Sequence, residues 1–365
     1  MRDRRINLGY SQIPTLSYAE TSLQLHINAA RENLPLNGGI DITNRCNLRC
    51  VHCYIRDTYC SEELSYQELC SIMDQVADAG CLWFTITGGE PLIRPDFRDI
   101  YTYAKKKGFF INLFSNGTLL TPSLIDFLAE QPPFVIEITL YGMTSETYER
   151  VTDVPGSFNR CINGIELALK RNLPVKLKTM LLTINSHELQ DMKQYAKKLG
   201  VSFVYDPLIN NKIDGSQEPK QYRLTPEEIV SAELQDPELS VKLLKEFNRL
   251  YGIKGLRDNI YTCGAGKGHF HITSDGKLNV CTMSRVPSYD LRIGNLKDGL
   301  STFPKILERK RTRESECRLC SALSICGQCP AWAELEHSDP EEKVDFLCQT
   351  AKLRVDAFVN KNIRK

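Results

Sequence analysis

LWFTITGGEPLIRPDFRDIYTYAKKKGFFINLFSNG, residues 82–117, is a strand–helix–strand unit with a tight turn after each strand. LWFTIT (82–87) is rich in aromatic and β-branched residues, which fit a pleated surface. A helix starts near Pro95-Asp96 and stops at Gly108, following the preference for Pro at helix starts and Gly just past helix ends. FFINLF (109–114) is the next strand. The same alternation extends to both sides. Upstream lie a strand, GGIDIT (38–43), and a helix, LSYQELCSIMDQVADAG (64–80). Downstream follow a helix from Thr121-Pro122, strand FVIEITL (134–140), a helix over 157–171, strand VKLKTMLL (175–182), helix SHELQDMKQYAKKLG (186–200) and strand VSFVYDPL (201–208).

Strands alternating with helices predict an α/β fold: a parallel sheet with right-handed crossovers. Six such units predict a partial (β/α)6 barrel over 38–225, with its chemistry at the C-terminal strand ends. The polar, turn-rich stretch 209–226 marks the end of that unit. Residues 1–37 form an N-terminal extension without a readable role. A helical linker is expected over 226–258, a cysteine-rich module over 259–350, and a C-terminal helix over 351–365.

The 365 residues are 42% hydrophobic and 25% charged, with 46 basic against 45 acidic side chains and a formal net charge of +1. That balance gives no general argument for nucleic acid or a membrane surface. The N-terminus lacks a signal-peptide apolar core, and no run reaches the roughly 18–20 apolar residues of a membrane span. A cytoplasmic protein is expected. Its 14 cysteines are anomalous for such a chain, because a reducing compartment does not sustain a disulfide framework. Cys60, Cys70, Cys81 and Cys161 are scattered and fit core or surface thiols.

Cys46, Cys50 and Cys53 sit on the loop after the first strand and supply three thiolates, the usual ligands of iron–sulfur clusters. Three ligands leave one iron of a cubane open, which suits a chelating substrate better than simple electron transfer. A buried helix face is a competing reading, although Arg45 and Arg49 make that face a poor core. A zinc site is another, although structural zinc takes four ligands.

At this loop the chain resembles the radical SAM superfamily, whose signature is CxxxCxxC with an aromatic before the last cysteine, a slot filled here by His52. The resemblance implies that Cys46, Cys50 and Cys53 hold a [4Fe–4S] cluster whose open iron binds S-adenosylmethionine (SAM). It also implies that SAM is cleaved to a 5′-deoxyadenosyl radical, which removes hydrogen from a substrate. Gly88-Gly89-Glu90-Pro91 is similar to the family's motif for the methionine amino group: glycines permit close backbone approach, and a carboxylate pairs with an ammonium. Ser115 and Asn116 match the family's ribose-contacting strand end, although Asn-Gly is also plain turn chemistry. Arg150 aligns with an arginine that meets the SAM carboxylate in related enzymes; a solvated helix charge is the alternative. No catalytic acid or base is identified.

The later cysteines run Cys263-x17-Cys281, then Cys317-x2-Cys320-x5-Cys326-x2-Cys329, then Cys348. With Gly276 before Cys281, they resemble the SPASM domain, which carries two auxiliary [4Fe–4S] clusters. The family's central block has three residues in its last gap, where this chain has two. The resemblance implies one cluster on Cys317, Cys320, Cys326 and Cys348, and another on Cys263, Cys281 and Cys329 with one ligand unassigned. A zinc ribbon built on the two CxxC pairs is the competing reading. His269 and His271 alternate on a strand and point to one face; half-buried structural histidines are the first reading, and a ligand or substrate contact is the alternative.

The SPASM resemblance, and the segments at 138–158 and 326–336, imply a ribosomally made peptide substrate and a crosslinking or other maturation step. Only about 37 residues precede the first strand, so a separate leader-binding partner is expected, together with an electron donor such as flavodoxin or ferredoxin. Tetrapyrrole side-chain maturation and sulfatase-type residue oxidation are rival enzyme readings. An iron–sulfur carrier or a zinc-stabilised binding module is the rival from another class.

Overall fold

The computed structural model describes residues 17–56, 62–251, 258–285, 287–323 and 325–363, so Cys60 lies outside the described residues. The chain begins with helix α1 (Tyr18–Glu32) and strand β1 (Asn37–Thr43). Five further units follow: α2 (Tyr66–Asp78) and β2 (Trp83–Gly88), α3 (Phe97–Lys106) and β3 (Phe110–Ser115), α4 (Pro122–Glu130) and β4 (Val135–Thr139), α5 (Ser145–Thr152) with α6 (Ser157–Lys170) and β5 (Val175–Met180), and α7 (Leu189–Leu199) and β6 (Ser202–Asp206). These six strands pair in parallel in consecutive order, as strand–helix alternation requires. Observed ends lie within about two residues of the expected ones, where helix and strand ends fray.

Alternation along each strand separates the two faces of the sheet. Phe84, Ile86, Ile111, Leu113, Ile136, Ile138 and Leu177 are fully buried under the helices. Thr85, Thr87, Phe114, Thr139, Lys178 and Met180 occupy the other face and line a cleft. The concave side of the partial barrel therefore mixes polar side chains with apolar ones.

After β6 come α8 (Pro226–Gln235) and α9 (Pro237–Leu250). A capping box, Thr225 with Glu228, starts α8 at the expected boundary. The C-terminal region holds β7 (His269–Ile272), β8 (Lys277–Asn279), β9 (Tyr289–Asp290), α10 (Leu296–Ser301), α11 (Phe303–Leu307), α12 (Glu316–Leu319), α13 (Pro330–His337) and α14 (Asp345–Ile363). It is not a separate layer. β7 pairs in parallel with β1, and β8 and β9 extend it antiparallel, giving one nine-stranded sheet in the order β6-β5-β4-β3-β2-β1-β7-β8-β9.

Three features correct or fill the sequence reading. The last helix begins at Asp345 rather than 351, because Val344, Leu347 and Ala351 form its buried stripe; Cys348 is therefore helical. The linker helices are docked: Glu233 of α8 pairs with Arg354 of α14 through both carboxylate oxygens, at 2.8 and 2.5 Å. The N-terminal extension packs α1 over the starts of β1 and β2, where His26 bonds Asn37 (3.2 Å) and its ring lies tilted against Trp83 at 4.8 Å.

Candidate active site

The cysteine loop leaves β1 at Thr43, and its path is set from the neighbouring strand end. Gly89 donates to the Thr43 carbonyl at 2.8 Å, and Glu90 N–H donates to the Arg45 carbonyl at 2.9 Å. Side chains do not fit this contact. A Cβ on Gly88, which has φ +131°, would come 2.1 Å from the Thr43 oxygen, and one on Gly89 would come 2.3 Å from the Arg45 oxygen. The two glycines thus let β2's turn clasp the cysteine loop, backbone against backbone.

Glu90 is fully buried and is not among the residues that line the cleft. Its carboxylate accepts from Leu92 N–H (3.2 Å), Asn116 N–H (2.7 Å) and the Ser115 hydroxyl (3.0 Å). Burial pushes its pKa up to about 7 against those three hydrogen bonds. Ser115, at the end of β3, receives Gly117 N–H at 3.0 Å. Glu90 therefore ties the ends of β2 and β3 together from behind, while Gly88, Gly89, Ser115 and Asn116 line the cleft.

Cys46, Cys50 and Cys53 all line the cleft, and their charges raise one another. Burial lifts the Cys46 thiol to about 11 and the other two upward as well, so their thiolates need a metal or donors to persist. Donors are present. Cys46 Sγ accepts from Leu48 N–H at 3.4 Å and from the Asn116 amide at 3.8 Å. The Tyr141 hydroxyl donates to Cys50, and Arg56 and Lys212 lie near Cys53. Asn116 is itself steadied by Asn47 (2.9 Å) and Thr118. Three thiols with N–H and O–H donors turned to sulfur fit an iron–sulfur cluster with one iron left open.

His52 is buried with its ring edge-on to Tyr141 at 5.1 Å, and its pKa is pushed down to about 4 by burial. Its Nδ1 has no hydrogen-bond partner among the described residues. Arg150 does not join this group. It is exposed in the last turn of α5, whose buried face is Thr147, Tyr148, Val151 and Thr152. The solvated-charge alternative describes it, and a SAM contact does not follow from its position.

The later cysteines fall into two groups. Cys326 feels the charges of Cys348, Cys317 and Cys320; Cys329 feels those of Cys281 and Cys263. Four thiols in one group and three in the other fit two clusters, the second lacking one protein thiolate. Among the described residues, no three His, Cys, Asp or Glu side chains are gathered so as to hold a single metal ion. Of the scattered cysteines, Cys81 and Cys161 are buried and Cys70 is half-buried.

The cleft has a volume of about 900 Å³ and runs from the cysteine loop to the C-terminal region, where Thr282, Met283 and Trp332 form its far wall. Several of its residues escaped the sequence reading. His271, which the sequence did single out, is buried rather than half-buried and bonds Asp41 of β1 at 3.0 Å, while Asp41 Oδ1 has no partner among the described residues. Tyr141, Lys178 and Trp332 went unread; the alternation in VKLKTM was the signal available for Lys178.

Residues 40–199 match the model of the radical SAM superfamily, and residues 263–330 match SPASM, an iron–sulfur cluster-binding domain. An AdoMet-dependent heme synthase from Methanosarcina barkeri is 26% identical over 340 residues, spanning 87% of this chain and 97% of that protein. The subtilosin biosynthesis protein AlbA of Bacillus subtilis is 26% identical over 254 residues, 68% of this chain and 55% of that protein. Among solved structures, Streptococcus suis SuiB bound to precursor peptide SuiA superposes with a TM-score of 0.67 at 17% identity, covering 92% of this chain and 82% of SuiB. Native anSMEcpe with bound AdoMet and a peptide gives 0.64 at 18% identity, covering 91% of this chain and 100% of the other. At those identities the likeness is one of fold. Among the described residues, no helix is long and apolar enough to cross a membrane.

Proposed function

We propose that this chain, a member of the radical SAM superfamily carrying a SPASM domain, removes a hydrogen atom from a peptide substrate bound in the cleft between its two cysteine regions. The observation that carries the reading is the cleft itself, near the upper end of the range for ligand sites and walled by both regions. A [4Fe–4S] cluster with SAM on its open iron supplies, when bound, the one-electron cleavage that yields a 5′-deoxyadenosyl radical. Cys46, Cys50 and Cys53 are the residues to hold that cluster. The backbone at Gly88 and Gly89 is free to meet the methionyl ammonium, and Asn116 stands at the ribose position. Glu90 acts from behind by fixing both strand ends. The seven later cysteines hold two auxiliary clusters. The peptide reading rests on the resemblance to AlbA and to the peptide-bound SuiB and anSMEcpe structures. A separate leader-binding protein and a flavodoxin or ferredoxin donor complete it.

A second reading, tetrapyrrole side-chain maturation, is favoured by one observation: the heme synthase from M. barkeri matches along 97% of its own length. The test is anaerobic reconstitution, followed by dithionite and SAM. About twelve irons per chain, four for each of three clusters, and 5′-deoxyadenosine that disappears in Cys53→Ala are expected. Mass changes in offered precursor peptides support the first reading, and loss of carboxyl groups from an offered iron–coproporphyrin supports the second. Bound zinc without SAM cleavage would overturn both.

A further inference from the structure

Toward one edge of the concave face, two lysines share a single carboxylate. Glu137 of β4 and Lys176 and Lys178 of β5 lie side by side, with Glu137 opposite Lys176 and Thr139 opposite Lys178 in the parallel register. One carboxylate serves both ammonium groups: Glu137 Oε1 is 2.8 Å from Lys176 and Oε2 is 3.4 Å from Lys178. Lys178 is the member that lines the cleft. Its Nζ stands 3.1 Å from the centre of the Phe114 ring, whose electron-rich face favours a cation. Burial and the Lys176 charge together hold Lys178 down at about 8 despite Glu137. Asp206 also lines the cleft; burial raises its carboxyl above the ordinary value, and it is engaged by Leu208 N–H at 2.8 Å. A half-buried ammonium that shares its counterion and sits over an aromatic ring is a built site for an anion.

We propose that Lys178, backed by Lys176, anchors a carboxylate of the substrate. The proposal rests on the reading of the cleft as the substrate site and narrows the substrate class to acids. The SAM carboxylate is a poor candidate for this anchor. β5 is three strands from the Gly88-Gly89 turn, about 14 Å at roughly 4.8 Å per strand. A peptide Asp, Glu or C-terminus and a porphyrin propionate present the same group, so the chemistry is shared and the source is a matter for experiment.

Tricarballylate, a small flexible tricarboxylate, is the probe. Its binding to reconstituted holoprotein is titrated calorimetrically at pH 7 and pH 9, with SAM affinity measured in parallel. Saturable binding that weakens at pH 9 is expected. Lys178→Met should weaken it about tenfold, the worth of one charge-assisted hydrogen bond, with SAM affinity unchanged. Lys178→Arg should restore it, and should keep the binding from weakening at pH 9, because the guanidinium stays charged across that range. Wild-type protein that ignores the probe, a Lys178→Met that binds it normally, or a parallel loss of SAM would each overturn the assignment. Once the site is established, competition by an acidic peptide against its amidated form, and by coproporphyrin against its methyl ester, identifies the source of the carboxylate. None of these readings depends on turnover, so a failure of the radical chemistry would be seen separately.

Discussion

In the loop after β1, three thiols lie within eight residues, and that loop is tied to the turn after β2 and to the last turn of α5. In the C-terminal region, seven thiols are spread over residues 263–348, among strands of four, three and two residues and a four-residue helix. The contrast sharpens within that region. Cys281 packs against the main core, whereas Cys326 of the group at 317–348 meets the Leu347 carbonyl, in a small core of Trp332, Ala333, Val344 and Leu347. So small a core stabilises little by itself. The first site is preorganised by the fold, and the last is organised by what its thiols hold.

The largest effect that would break this comparison is expected at Cys326. Cys326→Ala should remove about four irons and leave residues 310–350 open to limited proteolysis, while the barrel's thermal transition stays in place. If the region remains resistant to protease, side-chain packing and not metal holds it. A smaller but sharper effect is expected at Gly89→Ala. Its Cβ meets backbone atoms of Arg45 and Asn44 that have no rotamer to yield. A cost of about 3 kcal/mol should fall on the barrel transition, with the SAM-cleaving cluster lost and the C-terminal irons kept. Loss of both sets of iron together would show that the two regions are not independently built.

The same contrast explains what could be foreseen. Periodicity finds elements that are long and local, so β1 to β6 and their order were legible from alternating runs and helix stops. The cysteine grouping was legible through resemblance to a family. Pairing of β7 with β1 was not, because HFHI is four residues long and its partner lies some 230 positions away; nothing in either segment encodes the other. Glu90 was assigned a ligand's role on its motif, but burial depends on what packs behind a turn, and there Ser115 and Asn116 claim its carboxylate. Arg150 misled for the converse reason: one position along α5 decides whether a side chain enters the core or the solvent. Lys176 and Lys178 were visible as a polar face of VKLKTM. Their meaning required Glu137 from the next strand.

The smallest expected effect concerns how the clasp is held. Glu90 offers two acceptor oxygens to three donors, and Glu90→Gln keeps the shape while replacing one acceptor by an NH2 group. Whichever way that amide turns, at least one of Leu92 N–H, Asn116 N–H and the Ser115 hydroxyl faces a donor, at a cost of about 1–3 kcal/mol. The charge makes a second, separable contribution. The pKa of Glu90 rises from an ordinary 4.5 to about 7 in the folded chain. Between those values the folded state binds the proton more tightly than the unfolded one, so this contribution to stability is fully present below pH 4.5 and is lost as pH rises through 7. The barrel transition of the metal-free chain, followed by far-ultraviolet circular dichroism from pH 5 to pH 8, should therefore fall more steeply in the wild type than in Glu90→Gln. Parallel curves would mean that Glu90 is already ionised at pH 5 and that its hydrogen bonds, not its burial, set its charge. In that case the loop is clasped by a carboxylate rather than an acid, and an approaching ammonium would find its counterion ready-made behind the glycines.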